Sequence, residues 1–476
     1  MAPFLEPGFD HDESPRESCG VIGAFLPGTN VAQIAFYGLF ALQHRGQESA
    51  GLATATGNKI HSYTGMGLVS QAFRESDLQR LEGHIAIGHT RYSTTGSNRP
   101  ENAQPIIAKN GGFEIALAHN GNVINARELR ADLLEQGVTF STSTDSEVIA
   151  QMFVNSPGET IEERIASSMR RLQGAYSLTV LTDDTLIGIR DPRGVRPLCI
   201  GTLNDGWIIA SESCALDHLG ATFLREIDPG ETVIINDLGL RSVKYPWKLP
   251  AAAPCVFEYI YFSRPDSILG GRSNYLSRVE MGKRLAKEHP VDADIVIGVP
   301  DSATAAAVGY SQESGIPYSD GLIKNRYIGR TFIEPEQRIR ELGVQMKFNA
   351  MPEVIRGNRV VIVDDSIVRG TTTPQVVNMV REAGAKEVHM RVCAPPIRFP
   401  CHFGVDMATR DELLASKLPI AGIRNFINAD SLGYLSVEGL LASVDGNKKS
   451  YCSACFTGEY PMPVQLEMDK LALERS

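Results

Sequence analysis

The hydrophobic pattern of the chain changes once, near residue 249. In the first half, short apolar or alternating segments recur, which is typical of strands in antiparallel sheets. The predicted strands are residues 21–25, 51–56, 84–93, 114–121, 176–182, 186–191, 206–212 and 232–237. Segments with helical spacing interrupt these strands at residues 30–46, 125–137 and 145–154. Many strands with a few grouped helices predict an α+β layered domain.

A proline-rich stretch separates the two halves. Residues 244–254 contain three prolines and show little periodicity, so they are interpreted as a linker. Beyond it, apolar strands at residues 293–298, 360–363 and 387–396 alternate with helical segments at 279–289, 304–315 and 373–385. That alternation indicates a doubly wound parallel α/β sheet. The expected organisation is a leader (1–18), a first domain (19–248) and a second domain (249–476).

Length and charge narrow the class of protein. At 476 residues, the chain is too long for one ordinary core. A hydrophobic content of 43% and a net charge of −10 favour a soluble globular protein and argue against a nucleic-acid partner. There is no apolar run long enough to cross a membrane, and residues 1–18 lack the basic and apolar regions of a signal peptide. We therefore expect no membrane association and a cytoplasmic location.

The second half contains a polar loop directly after a buried strand. The strand at 360–363 runs into two carboxylates, Asp364 and Asp365. The residues of the loop with candidate ligand chemistry are Ser366, Arg369, Gly370, Thr371 and Thr372. Ligands of open parallel sheets bind beyond the carboxyl ends of the strands, where backbone N–H groups and a helix N-terminus can hold phosphate. Two solvated acids at a strand end would be the simpler interpretation of the carboxylates alone, but the whole arrangement favours a phosphate site.

Residues 359–373 resemble the phosphoribosyl-pyrophosphate (PRPP) signature of type I phosphoribosyltransferases. Residues 299–302 resemble the pyrophosphate loop of the same fold. The resemblance implies Mg²⁺ near Ser302, Asp364 and Asp365, with both carboxylates also near the ribose. Other PRPP-binding residues are then expected nearby: Asp301, Lys324, Arg326, Tyr327, Ser366, Arg369, Gly370, Thr371 and Thr372.

A basic stretch lies between these two motifs. Residues 324–347 carry six basic and three acidic side chains in a chain that is acidic overall. Charge alone is equally compatible with an ordinary surface loop. Because two phosphate motifs flank it, we interpret it as a lid whose cations stabilise a pyrophosphate leaving group and exclude water.

Cys19 is a candidate nucleophile that lacks a neighbouring histidine. A lone cysteine at a strand start is most often a small buried hydrophobe. If residues 1–18 were removed, however, its own α-amine, whose ordinary pKa is near ~7.7–8.0, could accept the thiol proton. Residues 1–18 are therefore expected to be a propeptide, removed by self-cleavage before Cys19.

Four further segments resemble the class II, N-terminal-nucleophile (Ntn) glutamine amidotransferases. They are residues 43–48, 89–93, 119–122 and 143–147, in the order of that family. The resemblance implies the Ntn αββα sandwich, with Cys19 as the nucleophile and an oxyanion hole formed by Asn120 and Gly121. It also implies that Arg91 holds the α-carboxylate of glutamine and Asp145 its α-amine, which matches their charges.

The order of the two domains resembles the glutamine phosphoribosylpyrophosphate amidotransferases from Cys19 to roughly Tyr460, which is essentially the whole chain apart from the leader and the tail. The segments around four widely spaced cysteines resemble the [4Fe–4S]-containing branch of that family; they are Cys255, Cys401, Cys452 and Cys455. Thiol chemistry by itself leaves zinc equally open. Cys199, Cys214 and Cys393 lie in apolar strands and are expected to be core residues.

The resemblance implies the first committed step of purine synthesis. Glutamine would be hydrolysed at Cys19, and ammonia would pass internally to PRPP, giving 5-phosphoribosylamine, glutamate and pyrophosphate. It also implies purine-nucleotide feedback inhibition and a homotetramer or dimer. Two alternatives are a class II amidotransferase with another acceptor, which the PRPP loop opposes, and a non-catalytic PRPP-sensing regulator, which would need no glutamine site.

Overall fold

Two antiparallel sheets stacked face to face form the first half of the chain in the computed structural model, which describes residues 19–93, 96–244, 248–325, 347–407, 409–446, 450–464 and 472–474. Within those residues, the first sheet has the strand order β11-β9-β10-β1-β4-β2-β3. Its strands are β1 (Gly20–Phe25), β2 (Ser49–Ala55), β3 (Ile60–Met66), β4 (Ile85–Arg91), β9 (Cys199–Leu203), β10 (Gly206–Ala210) and β11 (Thr222–Glu226).

The second sheet has the described strand order β13-β12-β8-β7-β6-β5. Its strands are β5 (Ile106–Asn110), β6 (Phe113–Val123), β7 (Gly174–Leu181), β8 (Leu186–Arg190), β12 (Glu231–Asn236) and β13 (Gly239–Lys244). Helices cover the outer faces of both sheets: α1 (Ala32–Ala41), α2 (Val69–Ala72), α3 (Glu75–Arg80) and α7 (Ser213–His218) lie on the first, and α4 (Ala126–Glu135), α5 (Asp145–Asn155) and α6 (Ile161–Met169) lie on the second.

The alternation of side chains along the strands explains this four-layer arrangement. On β1, Val21 and Phe25 pack into the core between the two sheets, whereas Ile22 and Ala24 pack against the helices. Successive residues of a strand point to opposite faces, so one strand can serve two apolar cores. The layers are therefore helix, sheet, sheet and helix, and the predicted αββα sandwich is confirmed.

The second half is built on a parallel sheet with the described order β16-β19-β20-β21. The strands of this half are β14 (Ile268–Leu269), β15 (Arg272–Ser273), β16 (Ile295–Gly298), β17 (Leu322–Lys324), β18 (Phe348–Ala350), β19 (Arg359–Asp364), β20 (Glu387–Val392) and β21 (Ser431–Tyr434). Its helices are α8 (Asn274–Glu288), α9 (Thr304–Ser314), α10 (Pro352–Ile355), α11 (Thr372–Glu382), α12 (Leu414–Lys417), α13 (Ile420–Phe426), α14 (Val437–Ser443) and α15 (Ala454–Thr457). The predicted change to a parallel α/β sheet is confirmed.

Several elements depart from the sequence prediction. The helix expected at residues 30–46 ends at Ala41 and is followed by a 3₁₀ turn at Gln43–Arg45. In the first half, strands β3, β5, β9, β11 and β13 were not predicted, and in the second half β14, β15, β17, β18 and β21 were not predicted. Four first-half strands, β3, β5, β11 and β13, lie at sheet edges and have many exposed or partly exposed positions, so they lack the apolar alternation that identifies a strand. Among the residues that the structure describes, no helix has the length and apolarity needed to span a membrane.

Candidate active sites

Cys19 lies immediately before β1 at one end of the gap between the two sheets. It is 5% exposed, and its Sγ is 3.3 Å from the carbonyl oxygen of Tyr92, to which the thiol donates. Burial raises the pKa of the Cys19 thiol to about 11, although Arg91 opposes this shift. At neutral pH, the thiol therefore needs a proton acceptor before it can act as a nucleophile. Residues 1–18, the predicted propeptide, lie outside the described residues.

Asn120 and Gly121 lie near the end of β6. The side chain of Asn120 is fully buried, and among the described residues neither its Oδ1 nor its Nδ2 has a hydrogen-bond partner. A buried amide without partners is costly, and such groups concentrate at functional sites. Gly121 has φ +150°, and a Cβ there would lie 2.0 Å from the oxygen of Ala175, so only glycine fits.

Arg91 and Asp145 line the same cavity as Cys19 and Gly121. Arg91 is buried, and its Nη1 donates to the carbonyl oxygen of Ser97 at 3.2 Å. Asp145 begins α5, and its Oδ2 accepts from the backbone N–H of Val123 at 2.9 Å. The cavity thus has a guanidinium and a carboxylate beside the thiol, which suits the charged groups of an amino acid.

Three buried polar residues at or near the cavity were given no role from the sequence: His89, His119 and Gln104. His119 lines it, and its Nδ1 is 3.1 Å from the Ser146 hydroxyl. Gln104, also in the lining, donates from Nε2 to the same hydroxyl at 3.0 Å. Burial lowers the pKa of His119 and that of His89, the latter to about 3, so both imidazoles are neutral. Gln104 carries no local motif, so no sequence signal could have found it.

The two phosphate motifs meet at the carboxyl ends of β16 and β19. The Ser302 hydroxyl donates to Asp365 Oδ2, and the Ser366 hydroxyl donates to Asp365 Oδ1 at 2.7 Å. Burial raises the pKa of Asp365, opposed by these two hydroxyls and by Arg278. Asp364 ends β19, and its Oδ1 accepts from the backbone N–H of Asp365 at 2.9 Å.

The other expected PRPP residues surround these carboxylates only in part. Lys324 pairs with Asp301 at 3.0 Å. Arg369 pairs with Glu412 at 2.7 Å, but among the described residues its Nε and Nη1 have no hydrogen-bond partner although they are buried. The remaining loop residues lie at the start of α11; they are Gly370, Thr371 and Thr372. Arg326, Tyr327 and most of the predicted lid lie outside the described residues.

The four cysteines at issue are brought near one another. Cys255 and Cys452 form an isolated parallel bridge, and the oxygen of Cys455 accepts from the backbone N–H groups of residues 398 and 399, just before Cys401. All four are free thiols, and the Phe403 N–H donates to Cys401 Sγ at 3.4 Å. Within the described part of the chain, no group of three or more His, Cys, Asp or Glu residues is placed to hold a single metal ion.

One segment connects the two candidate sites. The backbone N–H groups of Cys393 and Ala394 donate to the carbonyl oxygens of Asp364 and Asp365, respectively. A few residues later, the carbonyl oxygen of His402 accepts from Asn122 Nδ2 at 2.9 Å. Residues 393–404 therefore run from the PRPP-type loop to the strand that carries Asn120 and Gly121.

The fold and the two sites define a class: a glutamine amidotransferase domain joined to a phosphoribosyltransferase domain. The family model "Glutamine amidotransferase domain" matches residues 89–218, and "Phosphoribosyl transferase domain" matches residues 278–396. The chain belongs to the amidophosphoribosyltransferase family. It is a pentosyltransferase with glutamine amidotransferase activity, using glutamine and PRPP in purine biosynthesis.

The similarity extends over almost the whole chain. The amidophosphoribosyltransferase of Archaeoglobus fulgidus is 52% identical over 94% of this chain and 98% of that protein. The one from Synechocystis sp. is 50% identical over 98% of this chain and 95% of that protein. Among solved structures, glutamine PRPP amidotransferase from B. subtilis, complexed with ADP and GMP, superposes with a TM-score of 0.89 at 46% identity. That match covers 95% of this chain and 99% of the B. subtilis chain.

Proposed function

We propose that Cys19, as the first residue of the mature protein, is the nucleophile that releases ammonia from glutamine. Its Sγ attacks the side-chain amide carbon, and the oxyanion is held by Asn120 Nδ2 and the Gly121 N–H. Ammonia leaves, and water hydrolyses the thioester to glutamate. The observation that carries this proposal is the fully buried Asn120 amide, which has no partner among the described residues and stands between His119 and Gly121, two residues that line the cavity with Cys19.

Glutamine is positioned by Arg91 at its α-carboxylate and Asp145 at its α-amine. The α-amine of Cys19, once residues 1–18 are removed, accepts the thiol proton. This assignment suits the site because the neutral, buried His119 hydrogen-bonds to Ser146, and among the described residues Cys19 Sγ has no hydrogen bond to a basic side chain. An active protein that still carries residues 1–18 by intact mass would contradict it.

In the second domain, the ammonia nitrogen attacks C1 of PRPP and displaces pyrophosphate. The groups proposed to bind PRPP are Asp301, Ser302, Lys324, Arg326, Tyr327, Asp364, Asp365, Ser366, Arg369, Gly370, Thr371 and Thr372. Arg369 supports this assignment because two of its buried N–H groups, without partners among the described residues, suit an anion. Internal transfer protects ammonia from protonation, and residues 393–404 offer a physical link between the sites.

Mg²⁺ would be held by Asp364, Asp365 and Ser302. The donor set fits, because Mg²⁺ is usually bound by one or two carboxylates together with substrate phosphates rather than by a protein cage. When bound, the ion would neutralise charge on the pyrophosphate leaving group.

A [4Fe–4S] cluster would be held by the four cysteines Cys255, Cys401, Cys452 and Cys455. The residues fit: all four thiols are free, and the Phe403 N–H donates to Cys401 Sγ. The buried Arg196 places a positive charge nearby, because its Nε donates to the carbonyl oxygen of Phe403 at 2.9 Å. The role of the cluster would be structural. Native mass spectrometry reports bound iron and sulfide directly.

Purine nucleotides are proposed as feedback inhibitors, because the similar B. subtilis enzyme is complexed with ADP and GMP. We also propose that the protein assembles as a homotetramer or dimer and that it is cytoplasmic. Light scattering with and without GMP tests the assembly and its response to nucleotide.

The decisive experiment separates the two half-reactions. Replacing Cys19 with alanine should abolish pyrophosphate release with glutamine, PRPP and Mg²⁺, yet preserve release when ammonia replaces glutamine. Cys199→Ala is the matched control, because Cys199 is also buried but packs in the core between the first sheet and its helices. Loss of ammonia-dependent activity in a folded Cys19→Ala protein would refute the assignment of the two half-reactions to separate sites.

A further inference from the structure

A short turn from far along the chain lies against the glutamine amidotransferase domain. In the 3₁₀ turn at Ala472–Glu474, Leu473 is 4% exposed and packs into the core between the second sheet and helices α4–α6. Next to this anchor, Glu474 Oε1 accepts from the Ser97 backbone N–H at 2.8 Å and from the Ser143 hydroxyl at 3.2 Å. Apolar burial and two hydrogen bonds therefore fix the turn at this place.

The backbone N–H and the carbonyl oxygen of Ser97 both form hydrogen bonds. While its N–H donates to Glu474, its carbonyl oxygen accepts from Asn102 Nδ2 at 2.9 Å and from Arg91 Nη1 at 3.2 Å. The neighbouring Gly96 has φ +78°, and a Cβ there would lie 2.9 Å from the oxygen of Ser143. A side chain at position 96 would therefore clash with the backbone just before α5.

Arg91 connects this backbone to the Cys19 cavity. Its guanidinium is buried and lines the cavity, and the hydrogen bond to Ser97 is one of the contacts that orient it. A continuous series of contacts therefore runs from Glu474 through Ser97 to Arg91. Displacement of Ser97 would change where the guanidinium points, and misplacement of a positioning group is costly for substrate binding.

We propose that Glu474 is a positioning residue for the glutamine site: it secures Ser97, so that Arg91 presents its guanidinium to the α-carboxylate of glutamine. The inference rests on the proposed role of Arg91. The 472–474 turn would then contribute to the first half-reaction, although it lies beyond residues 278–396, which match the phosphoribosyltransferase domain.

Replacing Glu474 with alanine removes the acceptor for the Ser97 N–H. We expect the KM for glutamine to rise about three- to tenfold, the effect of one lost ordinary hydrogen bond, with kcat changed less than about twofold. Glu474→Gln keeps an acceptor oxygen, so its KM for glutamine should lie between that of the parent protein and that of Glu474→Ala. A variant that stops after residue 471 should lose at least as much as Glu474→Ala. Glu135→Gln, at an exposed position of the same domain, is the charge-matched control and should leave KM unchanged.

Hydrogen exchange gives a readout independent of activity. The Ser97 amide should exchange faster in Glu474→Ala than in the parent protein, while amides of the β1 strand should be unaffected. Alkylation of Cys19 should slow with a diazoketone analogue of glutamine, which needs Arg91, but not with iodoacetamide, which does not.

The outcomes separate this inference from the proposed function. Unchanged glutamine KM and unchanged Ser97 exchange in Glu474→Ala overturn the role of Glu474. A parallel loss of ammonia-dependent activity also overturns it, because general damage would then explain the defect. Arg91→Lys tests the proposed binding of the glutamine α-carboxylate by Arg91. If this variant keeps a normal KM for glutamine, that role of Arg91 is wrong, whatever Glu474 does.

Discussion

At the scale of single residues, burial controls the chemistry around Cys19. The protein interior raises the pKa of the Cys19 thiol and lowers that of His119, so the thiol stays protonated and the imidazole stays neutral. Both changes have the same cause, the loss of water around a charged form. A base must therefore come from elsewhere, which is why the proposed α-amine matters.

Asn120 provides the sharpest residue-scale prediction. Because its amide is buried without a partner among the described residues, alanine there should remove transition-state stabilisation rather than binding. For Asn120→Ala, we expect kcat for glutamine hydrolysis to fall about 10²–10³-fold, with a KM close to that of the parent protein. Asn58→Ala, at an exposed turn, is the control. A large rise in KM with normal kcat would instead assign Asn120 to ground-state binding.

At the scale of elements, residues 393–404 connect the two candidate sites. The segment leaves β20 beside the carbonyl groups of Asp364 and Asp365 and reaches β6 through His402 and Gly404. Gly404 has φ +94°, and a Cβ there would lie 2.9 Å from the Gly121 backbone. The close approach and the left-handed backbone both require glycine at this position.

Gly404→Ala tests that contact. The added methyl group should push the Gly121 backbone out of place and lower glutamine-dependent activity more than tenfold, roughly the cost of a misplaced catalytic group. Ammonia-dependent activity should change much less. Gly57→Ala is a close control, because Gly57 has φ +95° but an added Cβ there would meet nothing within 4 Å. Equal losses in the two variants would mean that backbone strain, not the contact, is responsible.

At the scale of the whole molecule, a buried charge network joins the two halves. Glu258, in the π-helical turn Glu258–Phe262, pairs with Arg45 at 2.6 Å and with Arg196 at 3.1 Å. Arg45 also pairs with Glu212. All four side chains are almost completely buried. Removing one partner from such a network leaves an uncompensated buried charge.

Glu258→Gln should therefore destabilise the protein by about 3–5 kcal/mol, measured as a lower Tm, whereas Glu135→Gln should cost less than about 0.5 kcal/mol. Burial tends to raise the pKa of Glu258, but Arg45 and Arg196 outweigh it and leave that pKa below its usual value. A lowered pKa contributes stability above the unfolded value near ~4.3, and this is lost as pH falls toward the folded value. The acid side of the Tm–pH profile should be shallower in Glu258→Gln; identical slopes would contradict the linkage.

The amino-acid sequence was sufficient for the fold class, the change from antiparallel to parallel strands and the family, because these depend on local periodicity and on contiguous motifs such as residues 359–373. Among the residues that line the Cys19 cavity, only those within a recognisable motif could be predicted from the sequence. Arg91 and Asp145 belong to such motifs, whereas Gln104 does not. The edge strands were missed because their partly exposed positions carry little pattern. Folding alone brought together Glu258 with Arg45, Gly404 with Gly121 and Glu474 with Ser97. These pairs are distant in sequence, and hydrogen bonds and packing between distant residues leave no local periodicity from which they could be predicted.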